Sequence, residues 1–221
     1  MTSGLEFEII AGISIIPVIY ILYDAWKNFE NKFDDRRFFF YLVFGFIAGA
    51  ILSVFFLMLE YSATNYIDMT VILIIFFPLV VEMLKFIIFQ RKGFVKNYET
   101  VFFAYAFGSG LGSAFSLGLV YHLTIGGISN AIFYLIAIIF SFEIVFANSS
   151  TGIYIGYGMY SLKRRYYLTN AIIVEILIFF TLIPYIWSFP FIYDIFGVFI
   201  AIPFFYYARK LLYLSVKGDT R

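Results

Sequence analysis

Six side chains of types that do chemistry stand inside long apolar runs of this sequence: Glu82, Lys85, His122, Glu143, Asn148 and Glu175. An ionisable group at mid-bilayer depth costs about 2.5–3.5 kcal/mol on insertion scales, so each one needs a reason. Glu82 and Lys85 are three residues apart, which puts them on one helix face and within reach of each other. As a structural feature they are a self-neutralising pair whose lysine snorkels toward the nearer membrane surface. As a functional feature Glu82 is a base, a ligand or a hydrogen-bond acceptor inside a helical bundle. Glu143, in the outer third of its run, is a candidate to line a water-filled cavity. Glu175 reads as a structural or interfacial carboxylate, and His122, beside Tyr121 at a helix end, as an interface residue. Asn148, in Asn148-Ser149-Ser150-Thr151, reads as hydrogen-bonding glue between helices.

The elements that hold these groups follow from composition. Of 221 residues 63% are hydrophobic and 13% charged, and Phe (31) with Tyr (19) outnumber all acidic and basic residues together. A soluble domain carries about 25% charged residues, so this chain cannot cover a water-facing surface. Soluble enzyme, nucleic-acid binder and disordered linker are excluded, and the lipid bilayer is its first partner. The absence of Cys removes disulfides, thiolate metal sites and cysteine nucleophiles. Glu6 and Glu8 precede the first apolar run and no basic n-region or small-residue cleavage site is seen. The first segment is therefore expected to remain as a span rather than be cleaved.

A hydrocarbon core of about 30 Å needs about 20 apolar residues per helix. That ruler predicts spans over 8–25, 38–59, 69–90, 100–122, 141–162, 169–188 and 190–211, with an interfacial or re-entrant helix over 129–140. Every Lys and Arg except Lys85 falls after the first, third, fifth or seventh of these spans, in Lys27–Arg37, Arg91–Lys96, Lys163–Arg165 and Arg209–Arg221. The positive-inside rule then predicts an all-α polytopic bundle of seven spans, N-terminus outside and C-terminus cytoplasmic, in the cell membrane. No connection is long enough for a soluble domain, so 1–221 is expected to be one membrane domain.

The fourth predicted span reads Gly108-Ser109-Gly110-Leu111-Gly112-Ser113-Ala114, then Gly118, and the fifth carries Gly152 and Gly156. Small residues at a spacing of four let helix backbones approach closely. Spans 4 and 5 are thus expected at the bundle centre, against the Glu82–Lys85 face of span 3, with Asn148 and Thr151 on the same packing surface. The glycines alternatively mark a substrate or lipid groove.

Taken in chain order these segments resemble the PrsW-type intramembrane proteases, of the CAAX prenyl endopeptidase superfamily. The opening span ends in Pro17-Val18-Ile19-Tyr20-Ile21-Leu22-Tyr23-Asp24. A Glu-Glu-x-x-Lys motif after a proline is matched by Pro78-Leu79-Val80-Val81-Glu82-Met83-Leu84-Lys85. A Gly-Leu-Gly-Phe-Ala-x-x-Glu-Asn-x-x-Tyr pattern is matched by Gly110 to Tyr121, and a His-Thr-Gly-Tyr motif by Ala147 to Gly152 leading to Gly156-Tyr157. The departures fall on the chemistry: Val81, Leu117 and Gly118 replace two Glu and an Asn, and Ala147 or Asn148 stands where the His is expected. Only Glu82 and Lys85 survive from the family's reactive set. One Glu without an aligned His does not build a metal site of three or more ligands.

The resemblance therefore implies a non-catalytic relative, a scaffold or binding subunit for a membrane protein, a peptide or a lipid, held in a groove between spans 3, 4 and 5. The seven-span scaffold subunit of gamma-secretase is similar to this superfamily and is not itself the protease. The alternative is an active intramembrane protease using Glu82 and Lys85 with Glu143 or His122 relocated, with a divalent metal under that alternative alone. A third class is a small proton-linked transporter using Glu82, Glu143 and Glu175. A membrane-protein partner or a homo-oligomer is expected, and no cofactor.

Overall fold

The computed structural model describes residues 4–63, 66–125, 131–187 and 196–219. Eight helices account for almost all of them: α1 (Gly4–Phe29), α2 (Asp35–Ala63), α3 (Ile67–Phe89), α4 (Glu99–Ile125), α5 (Ala131–Tyr160), α6 (Arg164–Thr181), α7 (Ile183–Ile186) and α8 (Val198–Asp219). Helices dominate because in hydrocarbon each backbone N–H and C=O must find a partner within its own segment. Six of the eight, α1 to α5 and α8, are long and apolar enough to cross a membrane. This is a multi-pass bundle for a lipid bilayer.

Two helices form the axis of the bundle. Some 89% of the apolar stretch of α4 and 72% of that of α5 is buried, against 28% for α2. Glycine sets this arrangement. A Cβ on Gly110 would land on the Leu42 carbonyl of α2, and one on Gly108 on the Asn148 carbonyl of α5. Gly112 abuts Val145, Gly118 abuts Ser53, Gly152 abuts Ala104 and Gly156 abuts Val101. Helix α4 thus has two small faces, one for α2 and one for α5. The α2 partner face is Gly45 and Gly49, whose own Cβ positions are taken by the Phe107 and Leu111 backbone. Ala114 of α4 is buried as well. The glycines expected to mark packing or a groove pack α4 against α2 and α5.

Two expected boundaries change. Helix α5 is unbroken from Ala131 to Tyr160, so residues 131–140 are its first third rather than a separate interfacial helix. At about 1.5 Å per residue it is some 45 Å long, longer than the hydrocarbon core and accommodated by tilt or protrusion. The span expected over 169–188 is broken: α6 stops at Thr181 and α7 starts after Leu182. Pro184 supplies the cause, since it lacks an N–H and its ring clashes with the carbonyl four residues earlier. The expected starts at 129 and 190 and the end at 188 lie outside the described residues. Arg164, Arg165, Asn170 and Glu175 also make α6 the most polar of the long helices.

The short turns after α1, α3 and α5 each contain a residue of positive φ: Asn31 (61°), Lys96 (65°) and Leu162 (61°). Such a residue reverses the chain in few steps, which lets α5 and α6 pack side by side across Ser161-Leu162-Lys163. At the same end, Asp24 of α1 and Arg209 of α8 form a two-pronged ion pair, with Arg209 Nη2 2.5 Å from Oδ1 and Nε 2.9 Å from Oδ2. It ties the first helix to the last.

Candidate functional site

The buried stripe of α3 that runs through Phe77, Pro78 and Val81 carries Glu82 and Lys85 on the inward face of the helix. Both are fully buried, together with Val81, Phe77 and Phe89 on the same face. Lys85 Nζ lies 2.5 Å from Glu82 Oε1, and it also donates to Asn148 Oδ1 (2.9 Å) and Thr151 Oγ1 (2.7 Å) of α5. An ammonium has three donors, and all three are used. The expected snorkelling of Lys85 does not occur. The Cα–Cβ bond tilts toward the helix N-terminus, away from the basic turn at Arg91–Lys92, so the side chain is directed into the bundle.

Asn148 and Thr151 accept those bonds because α4 holds α5 in place. Gly108 and Gly112 press against the Asn148 backbone and Cβ, and Ser109 Oγ meets Ser149 Oγ at 2.9 Å. Asn148 Nδ2 returns a bond to the Ile144 carbonyl (3.1 Å), which fixes its oxygen toward Lys85. Expected as interhelical glue, Asn148 and Thr151 are that and the acceptors of the buried cation.

Glu175 of α6 completes the cluster. It is buried rather than interfacial, on the face formed by Ala171, Val174, Ile178 and Phe179. The charges it faces are Lys85 and Glu82, with Asn148 the polar side chain beside it. The cluster therefore contains two carboxylates and one ammonium. Glu82 Oε2 and Glu175 Oε2 are buried with no hydrogen-bond partner among the described residues.

The two relocated catalytic candidates stand elsewhere. Glu143 is on α5 but turned by about 140° around the helix axis from Asn148, five residues at about 100° each. It accepts from Thr181 Oγ1 at 2.7 Å and is backed by Gly197. His122 lies some 20 Å along α4 from Ser109 at about 1.5 Å per residue. Its Nε2 is 3.8 Å from Glu60 Oε2 of α2, and its ring is 6.4 Å from that of Tyr185. Glu82 and Lys85 are brought together; Glu143 and His122 are not brought to them. Among the described residues no three His, Cys, Asp or Glu side chains converge on a point that would hold a metal ion.

Clefts lie away from the cluster. A groove of about 460 Å³ between α2 and α3 is lined by Ile51, Phe55, Met69, Ile72, Phe76 and Val80 among others, all apolar. In a bilayer such a groove is filled by apolar chains. A second cleft, of about 440 Å³, runs between α6 and α8 past Tyr154, Asn170, Val174 and Tyr207.

No protein-family model, no curated protein and no solved structure matches this chain. Its chemistry must be read from the cluster itself.

Proposed function

We propose that this chain is a non-catalytic multi-pass membrane protein of PrsW-like fold, acting as a scaffold or binding subunit for a membrane partner. One observation carries the proposal. Lys85, one of only two reactive residues that the PrsW resemblance retains, uses every donor it has, two on Asn148 and Thr151 of α5 and one on Glu82 of its own helix. A cation so placed holds helices together and has no hydrogen left for a substrate. A protease built on Glu82 would need a second acid, base or ligand within hydrogen-bond reach of the same reacting atom. Glu143 and His122 are engaged with Thr181 and Glu60 instead.

In this proposal the chain crosses the cell membrane seven times, α6 with α7 supplying the sixth crossing, N-terminus outside and C-terminus cytoplasmic. The support is the confinement of Lys27–Arg37, Arg91–Lys96, Lys163–Arg165 and Arg209–Lys217 to one end of the bundle, as the positive-inside rule requires. The partner expected is another membrane protein or a second copy of the chain. Isolation from the native membrane in mild detergent, with mass spectrometry of what co-elutes, tests this. A stoichiometric membrane-protein partner or a homo-oligomer supports the scaffold; a lone monomer overturns it.

A further inference from the structure

The cleft between α6 and α8 changes character along its length, and both walls change in the same order. Tyr154 of α5 fixes one level: its ring lies 6.3 Å from that of Tyr167 on α6 and 6.4 Å from that of Tyr207 on α8. Away from the basic end of the bundle the walls are apolar, Ile173 and Val174 on one side and Pro203 and Phe204 on the other. Near the level of the tyrosines the walls are polar, with Asn170 facing Tyr207. About one turn further toward the basic end stand Lys163 and Arg164 on α6 and Lys210 on α8. A Cβ on Gly218 would fall 2.5 Å from Tyr160 Oη, so α8 ends beside the turn that carries Lys163. At that turn Lys163, Arg164, Arg165 and Tyr166 line a shallow hollow of about 440 Å³.

These cations have no built-in counter-charge. No Asp or Glu stands between Glu143 and Glu175, whereas Lys27–Arg37 contains Glu30, Asp34 and Asp35, and Arg91–Lys96 is followed by Glu99. Arg209 is held by Asp24, but Lys163, Arg164, Arg165 and Lys210 are in no ion pair among the described residues. The positive-inside rule accounts for basic residues at one end, not for a cleft that begins at them. Cations, then polar groups, then apolar walls is the order in which a phospholipid presents phosphate, esters and acyl chains. We propose that this cleft binds one anionic phospholipid, with its phosphate at the four cations, its ester groups at Asn170 and Tyr207, and an acyl chain along Val174 and Phe204. From Lys163 to Val174 the axis of α6 covers roughly 16 Å at about 1.5 Å per residue, about half of a 30 Å hydrocarbon core. The site therefore spans one leaflet, and the lipid fills the gap between α6 and α8. This inference needs the bilayer but not the scaffold reading, and survives or fails separately from it.

The test reconstitutes the full chain into vesicles of equal phosphatidylglycerol and phosphatidylcholine with identical acyl chains, extracts it in mild detergent and weighs the intact complexes. Wild type should retain one phosphatidylglycerol per chain, preferred over phosphatidylcholine by about tenfold or more. Each Lys or Arg beside an anionic lipid is worth about fivefold in affinity, so Lys163→Gln, Arg165→Gln and Lys210→Gln together should weaken retention by on the order of 100-fold. Arg91→Gln with Lys92→Gln, which removes two cations at another turn, should leave it unchanged. Ile173→Trp fills the apolar end of the cleft and should lose the lipid with every cation intact. If the triple variant fails to fold, the headgroup preference of wild type and Ile173→Trp still decide. Equal retention of the two lipids, or none of either, would overturn the proposal. So would an equal loss in the Arg91/Lys92 variant, which would make the effect diffuse charge, or full retention in Ile173→Trp, which would detach the cations from the cleft. Displacement of the lipid by millimolar inorganic phosphate would assign the cations to a free phosphate, and a lipid-free dimer would assign the cleft to a second copy; either result overturns it.

Discussion

Replacing Lys85 by Met removes one charge and three hydrogen bonds while nearly preserving side-chain volume. Glu82 Oε1, Asn148 Oδ1 and Thr151 Oγ1 are then left in a dry interior without the donor they now have. Breaking a buried ion pair by deleting one partner costs about 3–5 kcal/mol, much of it the uncompensated charge that stays behind. For a chain of this size each kcal/mol moves the thermal midpoint by about 2–4 °C, so the expected fall is about 6–20 °C. Adding Glu82→Leu to Lys85→Met removes the carboxylate that Lys85 paired with, so the new losses are confined to the amide and hydroxyl acceptors, at about 1–3 kcal/mol each. The double variant should therefore be more stable than Lys85→Met alone. The assay is unfolding in mixed mild and denaturing detergent, followed by fluorescence of Trp26 and Trp187, which are bonded to Asp35 and Thr70 and report opposite regions of the bundle. A loss below about 1 kcal/mol in Lys85→Met, or no coupling to position 82 in the double-mutant cycle, would refute the lock.

Three further outcomes follow from packing and charge. Gly108→Ala and Gly152→Ala each drive a methyl into a facing carbonyl, at Asn148 and Ala104, and should cost about 1–3 kcal/mol by overpacking; Gly12→Ala, with nothing within 4 Å of its Cβ, should stabilise its helix by about 1 kcal/mol in the same unfolding assay. Asp24→Asn weakens the two-pronged contact with Arg209 and should cost about 1.5–3 kcal/mol, with α1 detaching first in limited proteolysis. The chain has no Cys, so single cysteines report topology cleanly: at Gly93 and Lys163 they should react only from the cytoplasmic side, and at Tyr66 only from outside.

The membrane class was legible because composition alone decides it, and the central place of α4 and α5 because glycine at a spacing of four has few uses in a bilayer. The Glu82–Lys85 pair was legible from its i, i+3 spacing. Its direction was not, because whether a lysine snorkels or turns inward depends on acceptors on another helix, here Asn148 and Thr151. The place of Glu175 in the cluster was missed for the same reason, although Ala171, Val174, Ile178 and Phe179 around it mark one buried face of α6. Gly45 and Gly49 carried the same signal as the α4 stripe and went unread on α2. The Asp24–Arg209 pair joins residues 185 positions apart, which no local pattern reveals. The break at Leu182 was written in Pro184, whose effect a hydropathy ruler does not register.

Whether the chain cuts anything is the central question. The most direct measurement compares protein termini across native membranes carrying wild type and Glu82→Gln, with the abundance of the folded chain measured alongside. The scaffold account predicts the same set of cleaved termini in both, with any change confined to the level or assembly of a co-purifying partner. A defined set of membrane-protein cleavages present in wild type and absent in a folded Glu82→Gln protein would contradict it and make Glu82 a catalytic residue.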